Sequence, residues 1–355
     1  MFDTAIEPDY RRMVDVVRNQ RAEILPLYEH NVCYEVIAAL TGSDLVRLMA
    51  ENRFDEGFRI YGDFFRRTGY DVVTFEQCIT AAMPPGGALM GGQGPIRDRR
   101  SLRDFPWAAI PGRWYEMAAP RFAALGRQMP AGMKAIGGVG NGVFEISEDL
   151  VGLEYLPFLQ ADDEEAYADL YRRIGDLMDE IWSRFLAEFG DIYAVCRFGD
   201  DLGFRSSLLT MPATVREHLI PQYRRIIGRV HAAGKPFLLH SCGCIFEVMD
   251  DLIAAGIDAK HSNEEAIAPF ERWIADYADR IGLLGGIDMN FIVSAEPAEI
   301  ARVVSDKASR YYRSANGFAL GTGNSIPDYV PPGNYLAMLE AANRIREQQA
   351  AKIHK

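Results

Sequence analysis

The stretch Gly234-Lys235-Pro236-Phe237-Leu238-Leu239-His240-Ser241-Cys242-Gly243-Cys244 decides the architecture. Its apolar core, Pro236 to His240, is short, punctuated by glycine on both sides and without polar alternation. That is the pattern of a strand covered on both faces, which parallel sheets require. Working outward, further short apolar or β-branched runs lie at Ile192 to Arg197, Gly256 to His261, Ile281 to Gly286 and Gly317 to Leu320. Long amphipathic segments near 213–233, 245–255, 267–279, 297–314 and 332–350 separate and follow them. Strand and helix in strict alternation predict a parallel sheet clothed by helices.

The N-terminal half is less regular, yet Leu25 to Glu29, Asp71 to Glu76 and Lys134 to Gly138 read as strands and bring the total to eight. Eight parallel strands close a (β/α)₈ TIM barrel, and 355 residues suit one such barrel as a single domain over 1–355 with an N-terminal helical extension. The competing fold is a doubly wound open sheet. No glycine-rich phosphate loop follows an early strand, which counts against it. Between the second and third strands, Met83 to Pro95 holds too much glycine and proline for a helix. It reads either as a lid over the barrel mouth or as a long surface loop.

Hydrophobic residues at 48% and charged residues at 25% describe a globular chain and exclude a disordered or fibrous one. A net charge of -12 argues against nucleic acid as a partner, because phosphate binding needs a basic surface. There is no apolar run long enough for a membrane span and no secretory leader pattern at Met1-Phe2-Asp3-Thr4, so a cytoplasmic protein is expected. Five cysteines, Cys33, Cys78, Cys196, Cys242 and Cys244, are too few and too irregular for a disulfide framework, and point to thiol or metal chemistry.

In a barrel of this kind reactive groups stand where strands end, because the loops there converge on one mouth. Polar residues do follow the expected strands: Glu29 and His30, Glu76, Asn141, Asp200 and Asp201, His240 and Cys242, His261 with Asn263 and Glu264, Asp288, and Asn324. His240 and Cys242, two apart in a glycine-containing turn, have the donor types and spacing to meet on one zinc ion, with Cys244 or a group from another strand completing the set. The plainer alternative is a hydrogen-bonded histidine beside small buried cysteines. Asp200 and Asp201 point to opposite sides of an extended segment, so one faces the mouth, as acid or base, as a hold on a substrate cation, or as the group that orients His240. The plainer alternative is that one caps a turn and the other is simply solvated. Arg205 offers a bidentate clamp for a substrate carboxylate, and His261 a proton shuttle, unless its role is structural. Glu29 and His30 leave the first strand and are candidates for substrate contact, while the glycines before Asp288 allow a close backbone approach.

The order of these motifs resembles the uroporphyrinogen decarboxylase superfamily. The resemblance lies in Gly199-Asp200-Asp201-Leu202-Gly203, Gly234 to Gly243, Gly285-Gly286-Ile287-Asp288, and Gly321-Thr322-Gly323-Asn324-Ser325-Ile326-Pro327 with Pro331. It covers the C-terminal half well and the N-terminal half loosely, and it implies a (β/α)₈ fold. Two activities divide that superfamily. The cofactor-free decarboxylases of porphyrin biosynthesis hold substrate carboxylates with an N-terminal Arg-Gln-Ala-Gly-Arg motif. Here the corresponding early strand reads Leu25-Pro26-Leu27-Tyr28-Glu29-His30 and lacks that arginine pair. The corrinoid-dependent methyltransferases use His, Cys and a distant Cys to bind zinc, which activates a thiol for a methyl group carried by a corrinoid protein. His240 and Cys242 match the first two ligands, and Asn324 stands where the third is expected.

An Asn oxygen is a poor zinc ligand. The resemblance therefore implies that Cys244 or a carboxylate such as Glu264 or Asp288 takes the third place, or that zinc has been lost. The expectation is a zinc-dependent methyltransferase. It has His240, Cys242 and Cys244 on the metal, and Asp200, Asp201, His261 and Asp288 as catalytic or orienting groups. Glu29, His30, Arg205 and Asn324 meet the substrate, a corrinoid protein and a small methyl donor or acceptor are the partners, and a homodimer is admitted. The rivals are a decarboxylase and a binding subunit without chemistry.

Overall fold

The computed structural model describes residues 4–84 and 92–353 of the chain. Seven strands form one all-parallel sheet in sequential order: β1 (Val72–Cys78), β2 (Lys134–Gly140), β3 (Tyr193–Gly199), β4 (Phe237–His240), β5 (Ala259–His261), β6 (Gly282–Ile287) and β7 (Phe318–Thr322). The strands are almost entirely buried on both faces, which is why they read as unbroken apolar runs. β1, β2 and β3 each run two residues beyond their expected ends, to Cys78, Gly140 and Gly199.

The eighth expected strand, Leu25 to Glu29, is a bridge and not a ladder. The Tyr28 N–H donates to Leu320 O at 2.9 Å and the Leu320 N–H to Pro26 O at 3.0 Å. Pro26 has no N–H to give the next rung, so the pairing stops there. On its other side the segment meets β1 through the Thr74 hydroxyl, which donates to Glu29 O at 2.8 Å. The sheet is thus a curled, TIM-barrel-like wall of seven strands with this segment lying beside β7.

The interior is packed. Tyr28, Val72, Ile136, Val195, Leu238, Ala259, Leu284 and Ala319, drawn from around the whole wall, form one apolar layer with Met13, Val16 and Val17 of helix Arg11–Val17. That short N-terminal helix plugs the end of the wall where the strands begin. Gly317 lies so close to it that a Cβ would sit 2.2 Å from Val16 O. The larger core lies between the sheet and the surrounding helices, including Phe54–Arg67, Ile110–Arg127 and the long Glu164–Phe189, three helices the sequence pattern had not delimited.

The helix expected near 213–233 is interrupted by a π turn at Val215–Leu219 before continuing as Ile220–Ala232. Pro221 is the cause, since it cannot give an N–H back to the preceding turn. Of the expected loop Met83 to Pro95, residues 85–91 lie outside the described residues. Among the described residues no helix is long and apolar enough to cross a membrane.

Candidate active site

The carboxyl ends of β4 and β5 are in register, so His240 and His261 stand side by side. Their Nδ1 atoms are 2.8 Å apart, and His261 Nε2 lies 2.9 Å from Thr322 O at the end of β7. Protons can be assigned from this chain of contacts. A carbonyl only accepts, so His261 carries its proton on Nε2 and offers a lone pair at Nδ1. His240 must then donate from Nδ1, which leaves its Nε2 as a bare lone pair. Both rings are neutral. Burial pushes His261 down to about 3 and holds His240 well below its ordinary value, with His261 beside it as the next cause.

The free Nε2 faces Cys242 Sγ at 3.4 Å and Asp201 Oδ1 at 3.7 Å. These three donors lie within 4.8 Å of one another. The loop is held by the Cys242 N–H, which donates to Asp201 Oδ1 at 2.8 Å, and by Gly243, whose φ of +81° only glycine adopts easily. A Cβ on Gly243 would lie 2.1 Å from the Gly203 carbonyl. Two further donors aim at the sulfur: Ser262 Oγ at 3.5 Å and Asn324 Nδ2 at 3.6 Å. Burial pushes the Cys242 thiol up to about 12, so without a cation beside it the sulfur keeps its proton.

The pair Asp200-Asp201 divides as alternation requires. Asp201 faces the mouth with its side chain 42% exposed, while Asp200 is fully buried. Asp200 accepts from the Phe144 N–H at 3.1 Å, the Glu145 N–H at 2.8 Å and the Tyr223 hydroxyl. It serves the first turn of helix Val143–Val151, whose N-terminus favours a negative charge. Burial nevertheless raises Asp200 to about 6.

Beside the cluster a cavity of about 410 Å³ is lined by His30, Tyr34, Tyr61, Glu76, Cys78 and Arg197 among others. His30 joins the two, stacking on His240 with ring centroids 3.7 Å apart. Arg197 is 1% exposed. It donates to Glu76 Oε2 at 2.7 and 3.1 Å, to the Tyr28 hydroxyl at 2.7 Å and to His30 O at 2.9 Å.

Several expected roles are corrected. Cys244 does not join His240 and Cys242: beyond the turn at Gly243 its backbone N–H bonds Phe204 O at 2.7 Å, and Asp201, not Cys244, is gathered with them. His261 is no proton shuttle to a substrate but a buried group that orients His240. Asp288 caps helix Met289–Ser294 through the Phe291 N–H and also accepts from the Glu265 N–H, so both its oxygens are engaged away from the cluster. Arg205 is exposed on the loop after β3 and lines none of the cavity. Glu29 is wholly buried against Thr322 and cannot meet a substrate. Asn263 braces β6, its Oδ1 accepting from the Gly286 N–H at 2.8 Å. Of the substrate candidates only His30 lines the cavity, while Asn324 reaches the cluster through Cys242.

The structure also adds groups that sequence reasoning passed over. Glu145, four residues after Asn141, accepts from the Asn141 amide at 2.9 Å and the Asp201 N–H at 3.2 Å. A Cβ on Gly199 would have His240, Glu145 and His30 within 3.9 Å, so Glu145 belongs to the site. Burial, then Asp200 and Asp201, hold its carboxyl well above the usual range. Arg197 had a signal: a lone charge inside the otherwise apolar run Tyr193-Ala194-Val195-Cys196-Arg197-Phe198.

Residues 165–345 match the family described as uroporphyrinogen decarboxylase (URO-D). The chain belongs to this family. A methyltransferase from Methanosarcina mazei has a similar fold, with a TM-score of 0.66 at 14% identity over 94% of this chain and 97% of the other. A B12-independent methionine synthase from Shewanella sp. W3-18-1, solved with selenomethionine, gives a TM-score of 0.52 at 12% identity over 99% and 98%. At such identities the likeness is one of fold. No curated protein sequence matches the chain. By its family and fold the chain is an enzyme of the URO-D kind, and imidazole, thiol and carboxylate gather at its strand ends.

Proposed function

We propose that this URO-D family protein is a zinc-dependent methyltransferase that works with a corrinoid protein in methyl-group metabolism, on a barrel closed to eight members by the Leu25–Glu29 segment. The observation that carries the reading is the bare Nε2 lone pair of His240 set 3.4 Å from Cys242 Sγ at the carboxyl end of the sheet. An imidazole whose far nitrogen is fixed by a hydrogen-bonded relay is the arrangement that readies it for a metal. Two solved neighbours, a methyltransferase and a B12-independent methionine synthase, support the methyl-transfer part of this reading; the corrinoid partner rests on the family resemblance alone.

In this reading His240 and Cys242 hold the metal. His261 and Thr322 O lock the imidazole in one tautomer, and Ser262 and Asn324 orient the sulfur. Bound zinc would supply a Lewis acid that keeps a small thiol ionised beside the cavity. The apolar wall beneath excludes water from below. Decarboxylation of uroporphyrinogen, the alternative, needs free cations for several carboxylates, and Arg197, the guanidinium in the cavity, is already committed to Glu76, Tyr28 and His30.

Metal analysis of protein purified without added metal tests the reading, with about one zinc per chain expected. Cys242→Ser and His240→Ala should lose both the zinc and methyl transfer from a methylated corrinoid to a thiol. A metal-free wild-type protein, or Cys242→Ser with undiminished turnover, would refute it.

A further inference from the structure

We propose that Asp201 is the third protein ligand of this metal centre, in place of a second thiolate, and that Asn324 acts as a hydrogen-bond donor to the Cys242 sulfur. The inference rests on the reading of His240 and Cys242 as metal-holding residues.

The spacing of the donors argues for Asp201. Two donors bound to one tetrahedral zinc at about 2.0 Å (N) and 2.3 Å (S) lie about 3.5 Å apart, and an N,O pair about 3.3 Å apart. Here Nε2 of His240 is 3.4 Å from Cys242 Sγ and 3.7 Å from Asp201 Oδ1. The carboxylate is already positioned by the Cys242 N–H at 2.8 Å, and an oxygen that accepts one hydrogen bond keeps a second lone pair. Ligand and loop therefore hold each other in place.

Among the described residues neither Glu145 nor Glu264 belongs to a group of three donors gathered within 4.8 Å of one another. His30, His240 and His261 also gather their nitrogens within 4.8 Å, but the two Nδ1 atoms there already share a proton at 2.8 Å and a metal would have to break that relay. Cys244 is in neither group of gathered donors, and both carboxylate oxygens of Asp288 are engaged elsewhere. Neutral His with singly charged Cys and Asp neutralises a divalent ion as fully as a His, Cys, Cys set. Three protein donors also leave a fourth place open, the mark of a catalytic site. The ligand class for that place is a small molecule that coordinates through sulfur or oxygen.

Asn324 is turned for a different task. Its Oδ1 accepts from the Ser325 N–H at 2.7 Å, so the amide presents its NH₂ to Cys242 Sγ at 3.6 Å. An N–H donor repels a cation but stabilises charge on a sulfur. Ser262 Oγ, at 3.5 Å, is the second such donor.

The test uses the full chain loaded with Co²⁺, read by its thiolate-to-cobalt absorption and by competition with a chelator. Wild-type protein should bind about one Co²⁺ with the absorption of one thiolate. Asp201→Asn keeps the Cys242 N–H contact, so the apo protein should keep its circular dichroism and melting point while metal affinity falls more than about 100-fold. Asn324→Ala should shift the band without changing stoichiometry, and Asn324→Cys should roughly double its intensity by adding a thiolate. Cys244→Ser should change nothing. Unchanged affinity in Asp201→Asn, a weaker band in Cys244→Ser, or no added intensity in Asn324→Cys would overturn the inference while leaving His240 and Cys242 as ligands. Wild-type protein that takes up neither Co²⁺ nor Zn²⁺ would overturn both.

Discussion

Glu29→Gln should abolish a pH dependence of stability that the buried Glu29 carboxyl imposes on the wild-type protein. Glu29 is fully buried, with Oε1 accepting from the Thr322 N–H at 3.1 Å and Oε2 against the Thr322 hydroxyl, which also faces Asn324 O at 2.9 Å. One hydroxyl proton cannot serve two acceptors. The network closes if Glu29 is protonated, donating to Thr322 Oγ1 while that hydroxyl donates to Asn324 O. Burial agrees, raising the carboxyl from 4.5 to about 8. Below pH about 4.5 both folded and unfolded chains hold the proton and the contribution is complete. Between about 4.5 and 8 only the folded chain holds it, so stability falls by about 1.4 kcal/mol per pH unit, on the order of 5 kcal/mol in all. Above about 8 no further loss follows. Gln is neutral throughout and keeps both contacts. Urea unfolding of both proteins from pH 5 to 8 should show their stability difference moving by several kcal/mol in favour of the variant as pH rises, with a protonated-carboxyl infrared band lost in Glu29→Gln. A difference that stays constant across that range would refute the reasoning.

Three further outcomes are expected. His261→Ala removes the partner that fixes the His240 tautomer, so zinc affinity should drop about 10- to 100-fold in a chelator competition. Arg197→Met strands Glu76 and should cost about 3–5 kcal/mol in denaturant unfolding, much of it recovered when Glu76→Gln is added. Gly243→Ala meets both a left-handed backbone and the Gly203 carbonyl, so it should displace the His240 to Cys242 turn and lose bound metal, with a destabilisation of about 1–3 kcal/mol or more.

The strands were legible because a parallel sheet leaves no wet face, and an unbroken run such as Pro236 to Leu239 has no other stable place. Their ends were harder. β3 continues through Phe198 and Gly199 because Arg197, which looked like a terminus, is paired inside the wall with Glu76 and Tyr28. Leu25 to Glu29 had the composition of a strand, but Pro26 lacks the N–H for a rung at one end and the Thr322 N–H at the other goes to the Glu29 side chain, so the pairing stays a bridge. Asp200 and Asp201 were separable from alternation, yet which of them faces the mouth depends on helix Val143–Val151, whose N-terminus claims Asp200.

The seven sheet strands and their order, the position of His240 and Cys242 at a strand end, and the URO-D resemblance were determined by the sequence, because burial and periodicity are local properties of a chain. Only the tertiary structure decided which nitrogen of His240 is free, since that depends on His261 and Thr322 from two other strands. It likewise brought Asp201 to the cluster and turned Cys244 away. Hydrogen-bond direction and donor spacing are set between segments distant in sequence, and no pattern along one segment carries them.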